Sequence, residues 1–466
     1  MSVSGDAIVT EDKFLPYGRP TLDESDIAAV TEVLRSDWLT TGPKIPALES
    51  ALANRFGAAQ AVVCSSGTAA LHLACIAAGL GPGSAAIVPS MTFLATANAV
   101  RMTGADVVFA DVNSDTGLME PSHLTEAWSR AEAAGLRIKA VLPVDLAGQC
   151  ADLATISRFA RVRGAIVIED ACHAIGTKYR DSDHSTAPVG SCRYGQMTVF
   201  SFHPVKTVAG GEGGAVLTAD DAAATRMRQC RSHGMSREAE TFQQADMAFG
   251  DDGAPNPWYY EMTELGWNYR LSDIHAALAL SQLARLDEFV AIRRDLAKTY
   301  DTLLQPVRGI VTPIRRKQGC VPAWHLYPVL IDFRAGGLDR AAVMTRLRNA
   351  GIGTMVHYIP VHLQPYYRQR NGALVLPGAE AYYQRTLSLP LHAGMTTADI
   401  ERVVSVLMEI FADRIDEPSR AAAPRRAAAK ESRVSARAPE RAKETGFTGL
   451  ARSPNHDPAK MVKVGV

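Results

Sequence analysis

The sequence predicts an α/β protein built on a mostly parallel sheet, followed by a smaller domain and a charged tail. Three observations carry this. Short runs rich in Val and Ile recur through the first half of the chain, nearly continuous in apolar character, as strands buried on both faces are. Helical patterns lie between them, and strand–helix–strand repetition builds a parallel sheet with right-handed crossovers. With 466 residues and 47% apolar content, the chain can bury a large core and more than one domain.

The first element is a helix in DESDIAAVTEVLRS, with Ile27, Val30 and Leu34 on one face and Thr21 and Glu24 at capping-box spacing ahead of it. The buried-strand runs are AVVC (61–64), AAIVP (85–89), VVFADV (107–112), AVLPVDL (140–146), AIVIED (165–170) and MTVFSF (197–202). A single long helix is expected through 271–300, bridging to the smaller domain. That domain would hold the strand HLYPVLIDF (325–333), a helix around Arg340–Asn349, and HLQPYYRQR (362–370). The expected boundaries are 14–285 for the large domain, 286–415 for the small one and 416–466 for the tail. From Arg420 onward eleven Lys/Arg stand against four Asp/Glu, about +7, in a chain whose formal charge is zero. Rich in Ala, Pro, Ser and Arg, the tail is expected to be disordered.

Charge neutrality gives no reason to expect nucleic acid or a membrane as partner. No apolar run of transmembrane length occurs, and the N-terminus lacks a signal layout, so a cytoplasmic location is expected. The seven cysteines are odd in number and show no CxxC spacing. They are expected to be buried reduced thiols, with no disulfide frame and no metal site.

Ligands of such sheets bind at the carboxyl ends of the strands, and four segments there carry candidate chemistry. In SSGTAALHLA, Ser66, Gly67 and Thr68 open a helix whose free N–H groups suit an anion, or simply cap the helix. In AIVIEDACHAIG, Asp170 emerges from a buried strand, either as a helix N-cap or as a carboxylate able to hold a pyridine nitrogen protonated. In VFSFHPVKTVAGGEGGAV, Lys206 follows an aromatic strand end and precedes a glycine cluster, with the Ser201 hydroxyl upstream. A lysine drawn into such a site becomes nucleophilic. In ELGWNYRLSDIHAALALSQL, Asn268 and Arg270 precede the bridge helix, where capping is the simple role.

Taken jointly, SSGTAAL, EDACHAIG, FSFHPVKT, GEGGAV and WNYRLSDIHAALALSQL resemble the DegT/StrS-type sugar aminotransferases, from about Phe14 to about Asp413. The resemblance implies a fold-type-I transferase dependent on pyridoxal 5′-phosphate (PLP), with a seven-stranded, mostly parallel sheet in the large domain and a smaller α+β C-terminal domain. It implies a homodimer with shared active sites. Lys206 matches the Schiff-base lysine and proton shuttle, and Asp170 the partner of the ring nitrogen. His173 matches a residue near the ring and its hydroxyl, and Phe93 an aromatic stacked on it. Ser201, Gly67 and Thr68 match phosphate contacts, and Asn268 a phosphate contact from the other subunit. FLPYGRPTLDESDI, SDWLTTGP, LAGQCADL, CHAIGTKY, RSHGM and AWHLYPVLI are most similar to the branch that forms UDP-4-amino-4,6-dideoxy-N-acetyl-β-L-altrosamine on the route to pseudaminic acid. In that branch the substrate positions match Tyr17, Asp37, Trp38, Leu39, Thr40, Ser66, Trp324, His325, Leu326 and Tyr327. SDWLTTGPK and AWHL also resemble the branch that makes 4-amino-4-deoxy-L-arabinose. L-Glutamate would donate the amino group and a UDP-linked 4-keto sugar would accept it, with Arg237 and Arg270 as candidates for the glutamate carboxylate. Sugar dehydratases of this fold replace the lysine with histidine, so the presence of Lys206 argues against that activity. A non-catalytic regulator would lack the site's Lys, Asp or Ser, and none is missing.

Overall fold

The computed structural model describes residues 14–180 and 184–414. The expected tail lies outside them. One seven-stranded sheet dominates, formed by β1 (Gln60–Cys64), β2 (Ala85–Pro89), β3 (Asp106–Ala110), β4 (Ile138–Val141), β5 (Ile166–Asp170), β6 (Met197–Ser201) and β7 (Gly214–Thr218). Their order is β1-β7-β6-β5-β4-β2-β3. All pairs are parallel except those of β7, which runs antiparallel to both β1 and β6. The mostly parallel seven-stranded sheet therefore stands as expected. β7 itself was hidden in sequence behind the GGEGG cluster that precedes it.

Two apolar clusters sandwich the sheet because its strands are buried on both faces. Leu71, Leu73, Val88, Phe109 and Ile168 belong to one cluster, and Leu48, Leu52, Ile87, Val167 and Phe200 to the other. A second sheet, of three antiparallel strands, follows: β8 (Val311–Pro313), β9 (Tyr327–Ile331) and β10 (Thr386–Leu389), in the order β8-β9-β10.

Three expectations needed correction. The run 140–146 stops being strand at Val141, because Pro143 has no N–H to give the ladder. The helix α1 (Glu24–Leu34) is capped by Asp23, with Asp26 closing the box, two residues further on than the Thr21/Glu24 pairing. Its buried face carries Asp26 and Val33, while Ile27 and Leu34 are 54% and 58% exposed. The cause is electrostatic: Asp26 accepts from Gln282 Nε2 at 2.6 Å and from Arg285 Nη2 at 2.5 Å, which fixes the rotation of the helix. The expected single helix 271–300 is two helices, Asp273–Ala284 and Leu286–Leu303. They meet at Arg285, whose backbone leaves the helical region (φ −97°, ψ 10°) while its side chain reaches Asp23, Asp26 and the Thr21 carbonyl. Arg340–Asn349 is a helix as expected, and Pro365–Asn371 forms a short helix overlapping 362–370.

Candidate active site

The carboxyl ends of β1, β2, β5 and β6 face one edge of the sheet, and the antiparallel β7 brings its amino end to the same edge. Gly214 pairs there with both Cys64 and Ser201. This one row explains the glycines on either side of it. A Cβ on Gly214 would lie 2.5 Å from the Ser66 carbonyl oxygen and 2.8 Å from the Gly67 nitrogen. A Cβ on Gly67 would lie 2.8 Å from Ser201 Cβ. The start of the helix Gly67–Ala77 is thus pressed against the end of β6.

Ser66 is that helix's N-cap, its hydroxyl accepting from Ala69 N–H at 3.1 Å. The N–H groups of the first turn stay free of helical partners. The Ser201 hydroxyl oxygen accepts from His203 N–H at 3.4 Å, and its own hydrogen finds no acceptor among the described residues. Free backbone donors beside a hydroxyl donor suit a phosphate.

Lys206 sits in the turn after β6, its N–H donating to the His203 carbonyl at 2.8 Å. Burial pushes its ammonium below the ordinary lysine range, against the opposing pull of Cys172 and Asp170. The neutral, nucleophilic amine is favoured accordingly.

Asp170 ends β5 and is buried. No helix follows it, so the N-cap role is excluded. Its Oδ1 accepts from Cys172 N–H at 3.2 Å and its Oδ2 from the Thr96 hydroxyl at 2.7 Å. Thr96 in turn lies 2.7 Å from the Thr92 hydroxyl. Since Thr96 spends its hydrogen on the carboxylate, Thr92 must donate to Thr96. Both threonines are buried at the turn that also carries Phe93. Phe93 is 45% exposed, an aromatic face open to a ligand, and its ring lies 5.8 Å from that of Tyr358.

The neighbouring carboxylate, Glu169, points to the other side of β5. It accepts from Tyr179 Oη at 2.5 Å and from Thr198 Oγ1 at 2.8 Å. Burial and Glu169 together push the Asp145 carboxyl well above its usual range. The protonated form of Asp145 is favoured accordingly, and its Oδ2 is buried with no hydrogen-bond partner among the described residues.

His173 Nδ1 accepts from Ala147 N–H at 3.3 Å, and Nε2 lies 3.0 Å from Tyr358 Oη. Burial first, then Lys206 and His357, hold this imidazole well below its ordinary pKa, so it is neutral. With Nδ1 accepting, Nε2 carries the hydrogen and donates to Tyr358, leaving the Tyr358 hydrogen free to donate in turn. Burial holds that phenol well above its ordinary range.

The other expected residues fall in several places. Tyr17 is half-buried with its ring 5.5 Å from that of His357, and the next residue, Gly18, approaches Val205 beside Lys206. Asp37, Trp38, Leu39 and Thr40 are exposed. They run along the start of the helix Asp273–Ala284, where Asp273 N–H donates to the Leu39 carbonyl at 3.0 Å. Asn268 is exposed nearby, and Arg270 lines a cleft with Thr41, Gly42 and Arg231. Arg237 is exposed, and no described contact ties it to Lys206.

The AWHL segment divides. His325 lies 4.5 Å from the His173 ring, while Trp324 is buried beneath Arg316, 3.9 Å away. Leu326 is core, and Tyr327 donates to Asp301 at 2.6 Å. Gly148, at φ +95°, explains why LAGQC and AWHL occur together: a Cβ there would meet the Trp324 and His325 nitrogens at 3.0 and 3.1 Å and the His173 carbonyl at 3.2 Å. Sequence reasoning missed Thr96 and Tyr358. Thr96 gave no signal, since a threonine inside a helix is commonplace. Tyr358 lies in MVHYIPVHLQPYY, a dense run of His and Tyr that could have been singled out.

The donor set fits PLP. It offers a primary amine to bond the aldehyde carbon, a buried carboxylate for the ring nitrogen, an aromatic face, and a phosphate cradle too tight for a Cβ.

Comparison with known proteins agrees with this geometry. The model of the DegT/DnrJ/EryC1/StrS aminotransferase family matches residues 20–408. The chain is 39% identical over 400 residues to the spore coat polysaccharide biosynthesis protein SpsC of Bacillus subtilis, covering 85% of this chain and 97% of that protein. Among solved structures it is similar to Helicobacter pylori PseC, an aminotransferase involved in the biosynthesis of pseudoaminic acid. The TM-score is 0.75 at 28% identity, over 86% of this chain and 100% of PseC. It is also similar to the aminotransferase TlmJ from Streptoalloteichus hindustanus, with a TM-score of 0.74 at 31% identity over 86% and 99% of the two chains.

Proposed function

Because the chain belongs to the DegT/DnrJ/EryC1/StrS aminotransferase family, whose members are PLP-dependent sugar aminotransferases, we propose that it transfers an amino group from L-glutamate to C4 of a 4-keto-6-deoxy UDP-N-acetylhexosamine. The product is UDP-4-amino-4,6-dideoxy-N-acetyl-β-L-altrosamine, a precursor of pseudaminic acid. The observation that supports the reaction is the meeting of Lys206, Asp170 and the Ser66–Gly67/Ser201 cradle at one sheet edge. What supports the sugar is the likeness to PseC along that protein's whole length.

Bound PLP supplies an electron sink for the carbon that loses its proton. The chain's own residues do the rest. Lys206 would hold the cofactor through Nζ, and the same Nζ would serve as base for the proton on the donor's α-carbon and as acid toward the sugar carbon being aminated. Asp170, held by Thr96 and Cys172, keeps the ring nitrogen cationic. Gly67, Thr68 and Ser201 would hold the phosphate, and Phe93 would offer its face to the ring. The neutral His173 and Tyr358 offer a hydrogen bond to the ring hydroxyl without adding charge.

The active unit is a homodimer in this reading. Trp258 and Leu265 are 74% and 70% exposed, and Met247 and Met262 are exposed in the same stretch of sequence before Asn268. Such a patch is characteristic of an interface. Asn268 would cross it to reach the partner's phosphate.

A second reading is favoured by one observation: identity to the polysaccharide protein SpsC, at 39%, exceeds that to PseC, at 28%. In it the same chemistry serves a different nucleotide 4-keto sugar. Absorbance of the PLP-loaded protein, followed through addition of glutamate and then of a panel of 4-keto nucleotide sugars, separates the two. Restoration of the starting spectrum by the altrosamine precursor supports the first reading, and restoration by another sugar alone supports the second. A visible band unchanged in Lys206→Ala would refute the proposed chemistry.

A further inference from the structure

Seven cysteines are present, and two of them touch. Cys150 follows the turn Leu146–Gly148, and Cys320 opens the short strand Cys320–Val321 that pairs with Lys178–Tyr179. Cys150 N–H donates to Cys320 Sγ at 3.2 Å.

The two residues differ in burial. Cys150 is buried, whereas Cys320 is partly exposed and lines a cleft of about 300 Å³. Arg294, Lys298, Arg316 and Lys317 also line that cleft, with Asp301 the acid among them. Asp301 is engaged by Arg316 and Tyr327. The Arg294 guanidinium is fixed two residues from the sulfur by the Val321 and Pro322 carbonyls, at 3.3 and 2.7 Å. Burial pushes Cys64, Cys192 and Cys230 up to about 12. Cys320 alone is held below the ordinary thiol range, by the bonds from Cys150 and by Arg294 and Arg180.

We propose that Cys320 and Cys150 form a site of hydroperoxide oxidation, in which Cys320 is the attacked sulfur and Cys150 resolves it to a disulfide. The Cys320 thiolate attacks one peroxide oxygen, the O–O bond breaks, and the departing oxygen leaves as water after taking a proton. Cys320 is then a sulfenic acid. The Cys150 sulfur attacks it, the S–O bond breaks, and the hydroxyl leaves as a second water with the Cys150 proton. Two thiols have given two electrons to one peroxide. The loop is already held in place for this, because the Gln149 side chain is clasped by the Arg315 carbonyl and the Lys317 N–H at 3.3 and 2.8 Å. Neither cysteine takes part in the transamination described above.

The test treats the PLP-loaded full chain with equimolar hydrogen peroxide and maps its peptides by mass spectrometry without reduction. The expected result is two fewer free thiols, a cross-linked peptide joining 150 to 320, and its reversal by dithiothreitol. Cys150→Ser should stop at a Cys320 sulfenic acid trapped by dimedone. Cys320→Ser should lower the rate of peroxide consumption by about tenfold or more, as loss of an activated thiolate does. Oxidation that falls on other cysteines, or proceeds at an undiminished rate in Cys320→Ser, overturns the proposal whatever the enzyme's sugar specificity.

Discussion

Replacing Thr96 by Val keeps the volume of a fully buried side chain and deletes two hydrogen bonds of Oγ1, the one donated to Asp170 Oδ2 at 2.7 Å and the one accepted from the Thr92 hydroxyl at 2.7 Å. Hydrogen bonds to charged groups contribute about 1.5–3 kcal/mol, and the one to Asp170 is polarised further by the Thr92 hydroxyl behind it. Thr92 loses its acceptor as well, but only the bond to Asp170 bears on the cofactor, so that part of the loss should appear in the holding of the ring nitrogen. Cofactor dissociation and turnover together should worsen by about tenfold to a hundredfold. Equilibrium dialysis against PLP and single-turnover kinetics with glutamate separate the two. Thr96→Ser keeps the hydroxyl while deleting a methyl group, so it should stay within a few-fold of the parent in both assays. If Thr96→Val binds PLP and turns over as the parent does, or if Thr96→Ser is as damaged as Thr96→Val, the hydroxyl does not act through Asp170 and the reasoning fails.

Other changes test other parts of the site. Gly214→Ala drives a methyl group into the Ser66–Gly67 peptide at 2.5 Å, so PLP affinity should fall and thermal unfolding should show a loss of about 1–3 kcal/mol. Tyr358→Phe leaves the buried His173 Nε2–H without its acceptor, at a cost of about 1–3 kcal/mol by urea titration, and its slowed turnover should not be rescued by excess PLP. His392 is buried without a ring-nitrogen partner among the described residues and is pushed down to about 4 from 6.5 by burial. Between those values the unfolded chain binds the extra proton, so this contribution to stability is intact above about 6.5 and is lost as pH falls toward 4. His392→Leu should therefore flatten the acid limb of a urea-midpoint profile while leaving stability at neutral pH equal or greater.

The parts of the fold legible in sequence were those with a local cause. Buried parallel strands announce themselves as continuous Val/Ile runs, and the residues at their ends, Asp170 and Lys206, were readable because the chemistry concentrates there. Long-range electrostatics were not legible. Asp26 turned α1 away from its apolar stripe through Gln282 and Arg285, far along the chain, and Arg285 broke a helix that periodicity alone would continue. Thr96, in the helix Leu94–Met102, was invisible for the same reason, its partner lying at the end of β5, far along the chain. The joint occurrence of LAGQC, CHAIG and AWHL could be seen as a pattern, but its cause could not: three backbones cross at Gly148, with no room for a methyl group.

The place of β7 in the sheet has a consequence for how the protein comes into being. β1 is the first strand made, yet it pairs only with β7, the last of the seven. Until the ribosome has delivered Thr218, the phosphate-binding end of β1 has no ladder joining it to the strand that carries Ser201 and leads to Lys206. Such distant pairing is slow to form. A nascent chain cut before Gly214 would contain the lysine, the aspartate and the cradle in its sequence and still lack the strand that sets them side by side. Affinity for the cofactor should thus appear late and all at once, as a report that the sheet is complete.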